Sequence, residues 1–126
     1  MNMTYDQRNI FAKILRNEAP CRKVYEDQYT LAFHDLHPSA PVHVLVIPKG
    51  EFISFSHFIS TANHDFMVGF FISVQKVIEI LKIENSGYRM ISNCGADGMQ
   101  AVPHFHIHIL GKKRLGVLVA GDNFHT

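Results

Sequence analysis

The sequence predicts an α+β domain: a five-stranded, mainly antiparallel sheet with a short N-terminal helix and one long helix. Apolar residues recur at three- and four-residue spacing in only two stretches, one short and one long. The other apolar stretches alternate or run four to seven residues between turn signals, which is strand patterning. The order helix, strands, long helix, two strands is not the regular βαβα alternation of a parallel sheet. At 126 residues with 47% hydrophobic content and ten Phe, one domain spanning residues 1–126 has enough apolar material for a core.

Ile10, Phe11, Ile14 and Leu15 mark the short helix, with Asp6 as its N-cap and Pro20 beyond its end. Val24-Tyr25 and Tyr29 to Phe33 read as two strands joined by a turn at Glu26-Asp27-Gln28. His37-Pro38-Ser39-Ala40-Pro41 is turn chemistry, since each proline restricts the residue before it. Val42 to Ile47 is a buried central strand with one odd residue, His43. Glu51 to Thr61 is apolar but aperiodic and reads as loop or a short irregular turn. Phe66, Phe70, Val74, Val77, Ile78 and Leu81 form the stripe of the long helix, which packs into the core and stops at Asn85-Ser86-Gly87. Tyr88 to Ser92 is the next strand, and Asn93 to Met99 is a glycine-containing loop leading into QAVPHFHIHILG at Gln100 to Gly111.

Composition excludes several classes of function. A formal charge of +1 and a pI near 7.9 provide no field for nucleic acid or an anionic membrane. Cys21 and Cys94 form no C-x-x-C and no disulfide framework, which fits a reducing cytoplasm. The start of the chain carries no signal-peptide pattern, and no apolar run approaches the ~20 residues of a membrane span.

His104, His106 and His108 alternate with Phe105, Ile107 and Ile109. In a strand this places three imidazoles on one face, successive rings roughly 6–7 Å apart, with an apolar face behind them. The five-stranded arrangement puts them opposite the long helix or along a groove in the sheet. Two chemistries suit such a row. An H-x-H pair such as His104/His106 holds zinc if His43 or Asp35 supplies a third ligand. Alternatively, a neutral imidazole attacks phosphorus and leaves again, splitting a displacement into two steps while neighbouring rings contact phosphoryl oxygens and protonate the leaving group. Backbone N–H groups of Gly95 to Met99 would then face an anion. The residues alone leave both open.

HFHIHIL resembles the signature of the histidine triad (HIT) superfamily, and all seven positions agree. IFAKILRNEAPCRKVYEDQYTLAFHDLHPSAPVHVLVIPKG is similar to the N-terminal half of its Hint branch, and GYRMISNCGADGMQAVPHFHIHILG to the C-terminal half. The likeness covers about Asn9 to Gly111, leaving residues 112–126 as a divergent tail. The resemblance implies a homodimer with a continuous sheet that binds purine nucleoside monophosphates and hydrolyses nucleoside phosphoramidates and related adenylates. By the same resemblance His106 is the nucleophile, and His108 contacts the phosphate and helps to protonate the leaving amine. His104 and His43 hold the tautomers. Asp35 binds the ribose hydroxyls; Leu36, Phe33, Ile10, Phe11 and Ile14 form the base slot; Asn93, Gln100 and position 101 lie at the phosphate end. No cofactor is implied, and zinc is not required for the chemistry.

Three departures stand out. Ala101 replaces a common Ser, Met99 a common Gly, and the tail lacks a Trp-Pro-Pro ending. The alternatives are a dinucleoside polyphosphate hydrolase, a non-catalytic nucleotide-sensing protein and a zinc protein. His34, His37, His57, His64 and His125 receive no catalytic role.

Overall fold

The computed structural model describes residues 4–119. The elements run α1 (Ile10–Leu15), β1 (Lys23–Glu26), β2 (Thr30–His34), β3 (Val42–Pro48), α2 (Phe55–Thr61), α3 (His64–Leu81), β4 (Tyr88–Ile91) and β5 (Ile107–Gly111). The strands form one sheet in the order β1-β2-β3-β5-β4, every neighbouring pair antiparallel. This is the α+β architecture that the sequence predicts.

Alternation along the strands divides the sheet into two faces. Val44 and Val46 of β3 and Ile107 and Ile109 of β5 pack with Phe58, Phe70, Val74 and Val77 from the helices, and with Phe105. Leu31, Phe33, Leu45 and Ile47 point the other way and pack with Phe11 and Ile14 of α1. The hairpin turn is tied to α3 through Asp27, whose carboxylate accepts from the Tyr29 N–H and from the Tyr25 and Ser73 hydroxyls. Gly69 permits that approach, because a Cβ there would lie 2.3 Å from the Tyr29 ring.

Four local expectations need correction. The cap of α1 is Asn9, whose side-chain oxygen accepts the Ala12 N–H at 2.9 Å; Asp6 instead accepts the Arg8 N–H. Glu51 to Thr61 is not all loop, for α2 starts after Ser54, whose hydroxyl accepts the His57 N–H. Of its residues only Phe58 is buried, so a stripe one residue wide leaves no readable period. Helix α3 ends on Lys82 in the left-handed conformation, before Asn85-Ser86-Gly87, and the positive φ of Gly87 serves the turn into β4. Finally, the histidine segment is regular strand only from Ile107. Before that, the Phe105 N–H bonds the Phe52 carbonyl and the His104 N–H bonds the Val102 carbonyl, so the chain runs along a loop before joining β3.

Candidate active site

The histidines lie on the α1 face, opposite α3, because His43 shares its side of β3 with Leu45 and Ile47. His108 is registered opposite Leu45, and His43 opposite Leu110, which makes the two imidazoles diagonal neighbours across the β3–β5 ladder. His43 Nε2 stands 2.9 Å from His108 Nδ1. The His106 and His108 ring centroids are 5.0 Å apart, and the edge of Phe11 meets His106 with centroids also 5.0 Å apart. His104 is not the third member of an open row. Its ring is fully buried, and both of its nitrogens are engaged.

Backbone partners determine which nitrogen of each neutral ring carries the proton. A carbonyl only accepts, so His104 donates its Nε2–H to Pro48 O at 3.0 Å and its Nδ1 accepts from the Tyr5 hydroxyl. His106 Nδ1 likewise faces the His104 carbonyl at 2.6 Å and must be the protonated nitrogen, which leaves Nε2 with a free lone pair. A backbone N–H only donates: that of Ser39 points at His43 Nδ1 at 3.0 Å, so the His43 proton is on Nε2 and is shared with His108 Nδ1. His108 then carries its own proton on Nε2. The pair thus presents a bare nitrogen on His106 beside an N–H on His108.

Burial favours the neutral form of His104, His106 and His108. Burial pushes His104 and His108 down to about 4 and lowers His106 below the ordinary imidazole value. Mutual repulsion among the rings adds to the effect for His104 and His108, while the Asp35 carboxylate partly opposes it at His106 and His108.

Among the other residues expected at the site, Phe11, Ile14 and Phe33 are buried together beneath α1, whereas Ile10 is half-exposed and Leu36 is 83% exposed. Asp35 caps its own turn through the His37 N–H, and its second oxygen lies 3.4 Å from His43 Nε2. Asn93 is partly buried and Ala101 exposed, both on irregular backbone flanking the glycine loop. Gln100 is committed elsewhere: its amide donates to the Ile53 and Val102 carbonyls and its oxygen accepts the Gly95 N–H. It pins the loop. The glycine loop closes on itself at three of the five amides, Gly95, Gly98 and Met99, expected to face an anion. The N–H groups of Gly98, Met99 and Gln100 bond Cys94, Ala96 and Gly95 carbonyls, and a Cβ at Gly98 would lie 2.6 Å from the Cys94 oxygen. Met99 sits in the left-handed region at φ 54°, where glycine is favoured.

The metal-capable group also differs from expectation. Asp35, His43 and His108 offer ligand atoms within 4.8 Å of one another, whereas the engaged nitrogens of His104 remove it from a His104/His106 pair. A hollow of about 530 Å³ on the flank of α1, lined by Ile14, Cys21 and Leu31 among others, touches none of the four histidines. The sequence reading missed Tyr5 and the Ser39 amide. Ser39 lies within a turn marked by two prolines; Tyr5 carries no local signal.

An open antiparallel sheet with helices on both faces, carrying an H-x-H-x-H segment whose rings are ordered by main-chain hydrogen bonds, defines a small histidine-based α+β protein. The chain belongs to the histidine triad family: the HIT domain matches residues 16–115. An uncharacterised 13.2 kDa HIT-like protein of Azospirillum brasilense is 46% identical over 119 residues, covering 94% of this chain and 98% of its own. The HIT family hydrolase of Legionella pneumophila superposes with a TM-score of 0.79 at 31% identity, covering 86% of this chain and 96% of that one. The histidine triad nucleotide-binding protein of Candida albicans gives 0.77 at 30% identity, with 93% and 86% covered. The fold is that of HIT-family hydrolases.

Proposed function

We propose that this protein is a nucleotide hydrolase that cleaves purine nucleoside 5′-phosphoramidates or related adenylates through a covalent nucleotidyl-histidine. One observation carries the reading: the His106 Nδ1–H is held on the His104 carbonyl, so the bare Nε2 is the nucleophile, beside an N–H on His108. His106 Nε2 forms a bond to phosphorus as the bond to the leaving nitrogen or oxygen breaks, with the His108 Nε2–H hydrogen-bonded to the leaving atom. Water then attacks phosphorus and the His106 bond breaks. The leaving atom takes that His108 proton as its bond to phosphorus breaks; the attacking water later leaves its oxygen on phosphorus and returns a proton to His108 Nε2. Phe11, Ile14, Phe33, Ile10 and Leu36 take the base, Asp35 the ribose hydroxyls, and Asn93 the phosphate end. Gln100 acts there by holding the loop, and position 101, an alanine, offers only its main chain.

A homodimer extends this reading. Strand β4 is a sheet edge with Tyr88 and Met90 exposed, and Val68, Phe71 and Ile72 are exposed on α3, a combination suited to strand pairing with a second copy. The described residues contain no helix long and apolar enough to cross a membrane, and the two free cysteines suit a reducing cytoplasm.

The test is a turnover panel of adenosine phosphoramidates, adenylates and dinucleoside polyphosphates, run with and without EDTA. His106→Ala should lose turnover while still binding AMP; near-native rates in this variant would sink the nucleophile assignment. Cleavage of dinucleoside polyphosphates alone would move the protein to that substrate class, and tight AMP binding without native turnover would make it a sensor. A second reading is favoured by the Asp35, His43 and His108 cluster, whose two imidazoles and one carboxylate suit zinc. Loss of activity in EDTA together with stoichiometric zinc would support it; full activity in EDTA would remove zinc from the chemistry.

A further inference from the structure

We propose that Tyr5 is a positioning residue for the nucleophile, acting through His104, an assignment that rests on His106 being the attacking group. Tyr5 precedes α1 and the residues 16–115 that the HIT domain matches, yet its hydroxyl reaches His104 Nδ1 at 2.5 Å, 99 residues along the chain. Its ring meets the His104 ring edge-on, with centroids 5.6 Å apart. The segment is held in place by Asn9, whose N–H and side-chain amide both bond the Asp6 carbonyl. Burial raises the Tyr5 hydroxyl above its ordinary pKa, so it stays protonated and able to donate.

The His104 ring is thereby gripped at both ends, by Tyr5 at Nδ1 and by the Pro48 carbonyl at Nε2. The grip matters because the His104 main-chain carbonyl is the acceptor that fixes the His106 proton on Nδ1. A buried acceptor stripped of its donor carries a desolvation cost, which the ring relieves by turning or by admitting water. Either response moves residue 104 and loosens the hydrogen bond on which the bare Nε2 of His106 depends. Phe11, against both His104 and His106, transmits the same displacement.

The experiment compares the native protein with Tyr5→Phe, which keeps the aromatic edge and removes only the hydroxyl. Imidazole ¹H–¹⁵N spectra of the native protein should show His104 protonated on Nε2 and His106 on Nδ1; a His104 protonated on Nδ1 overturns the proposal without any variant. In Tyr5→Phe the two ring N–H protons should exchange with water about tenfold faster, and kcat should fall about tenfold with KM within about twofold. Unchanged ring-proton exchange overturns the proposal, whatever happens to melting temperature. So does faster exchange spread evenly over all backbone amides, the signature of general loosening. Should the native protein turn over no substrate in the panel, the hydrolase reading fails separately, and the ring protons alone still decide whether Tyr5 governs the His106 tautomer.

Discussion

Beneath α3, Val44, Val46, Ile107 and Ile109 meet Phe58, Phe70 and Val77. One residue along the same two strands, on the α1 side, stand His43, Leu45, His108 and Leu110. The first face is held by apolar contact, which tolerates sliding and repacking. The second has its own apolar cluster around Phe11 and Ile47, but its imidazoles are held by directional bonds, largely to main-chain groups, which do not. A short chain can bury neutral imidazoles on one side of its sheet because the other side supplies the hydrophobic stabilisation. Stability and chemistry are thus assigned to alternate residues of the same strands.

The largest test of that division is Phe70→Ala, which removes a fully buried ring from the apolar face. It should cost about 3–5 kcal/mol of unfolding free energy, read from chemical denaturation. The pH dependence of turnover should keep its shape, and a displaced pH profile would show that the two faces are coupled. Acid should act on the other face. His104 is ordinary in the unfolded chain but held down to about 4 in the folded protein, so below pH 6.5 the unfolded state binds the proton and the folded state does not. Stability should decline from pH 6.5 to about 4 and then level off for this group, by roughly 3 kcal/mol. Denaturation midpoints that stay fixed between pH 7 and 4.5 would contradict a buried neutral ring. The smallest effect belongs to a loop on neither face. Met99→Gly relieves a left-handed backbone at a non-glycine residue and should gain about 0.5–1 kcal/mol after the entropy of the added glycine, with the ring-proton signals unchanged.

Much of this arrangement is legible in the chain itself, because alternation and helical spacing are properties of consecutive residues. Val42 to Ile47 and the Phe66 to Leu81 stripe follow from period alone, and the face opposite α3 is one of the two places that the element order leaves for the histidines. Helix α2 does not, since one buried residue, Phe58, leaves no stripe to detect. Nor does the inequality of the three histidines. His104 turns inward because its partners, Tyr5 and the Pro48 carbonyl, come from 99 and 56 residues away, and no local pattern encodes such distances. The glycine loop misleads for a related reason. Its composition suggests free amides, and only the fold shows those of Gly98 and Met99 bonded to the loop's own carbonyls and that of Gly95 to Gln100.

The turn between β2 and β3 looks like punctuation, yet the Ser39 amide within it sets the direction of every hydrogen bond from His43 to His108. Pro38 and Pro41 flank that amide and limit how far it can rotate. The protons of His43 and His108 are therefore placed by main chain, as is the proton of His106. Surface side chains around the rings are free to vary without disturbing which nitrogen is bare. Drift at the surface is permitted to such a site, while inversion of its polarity is not: that would require a peptide unit to turn over between two prolines.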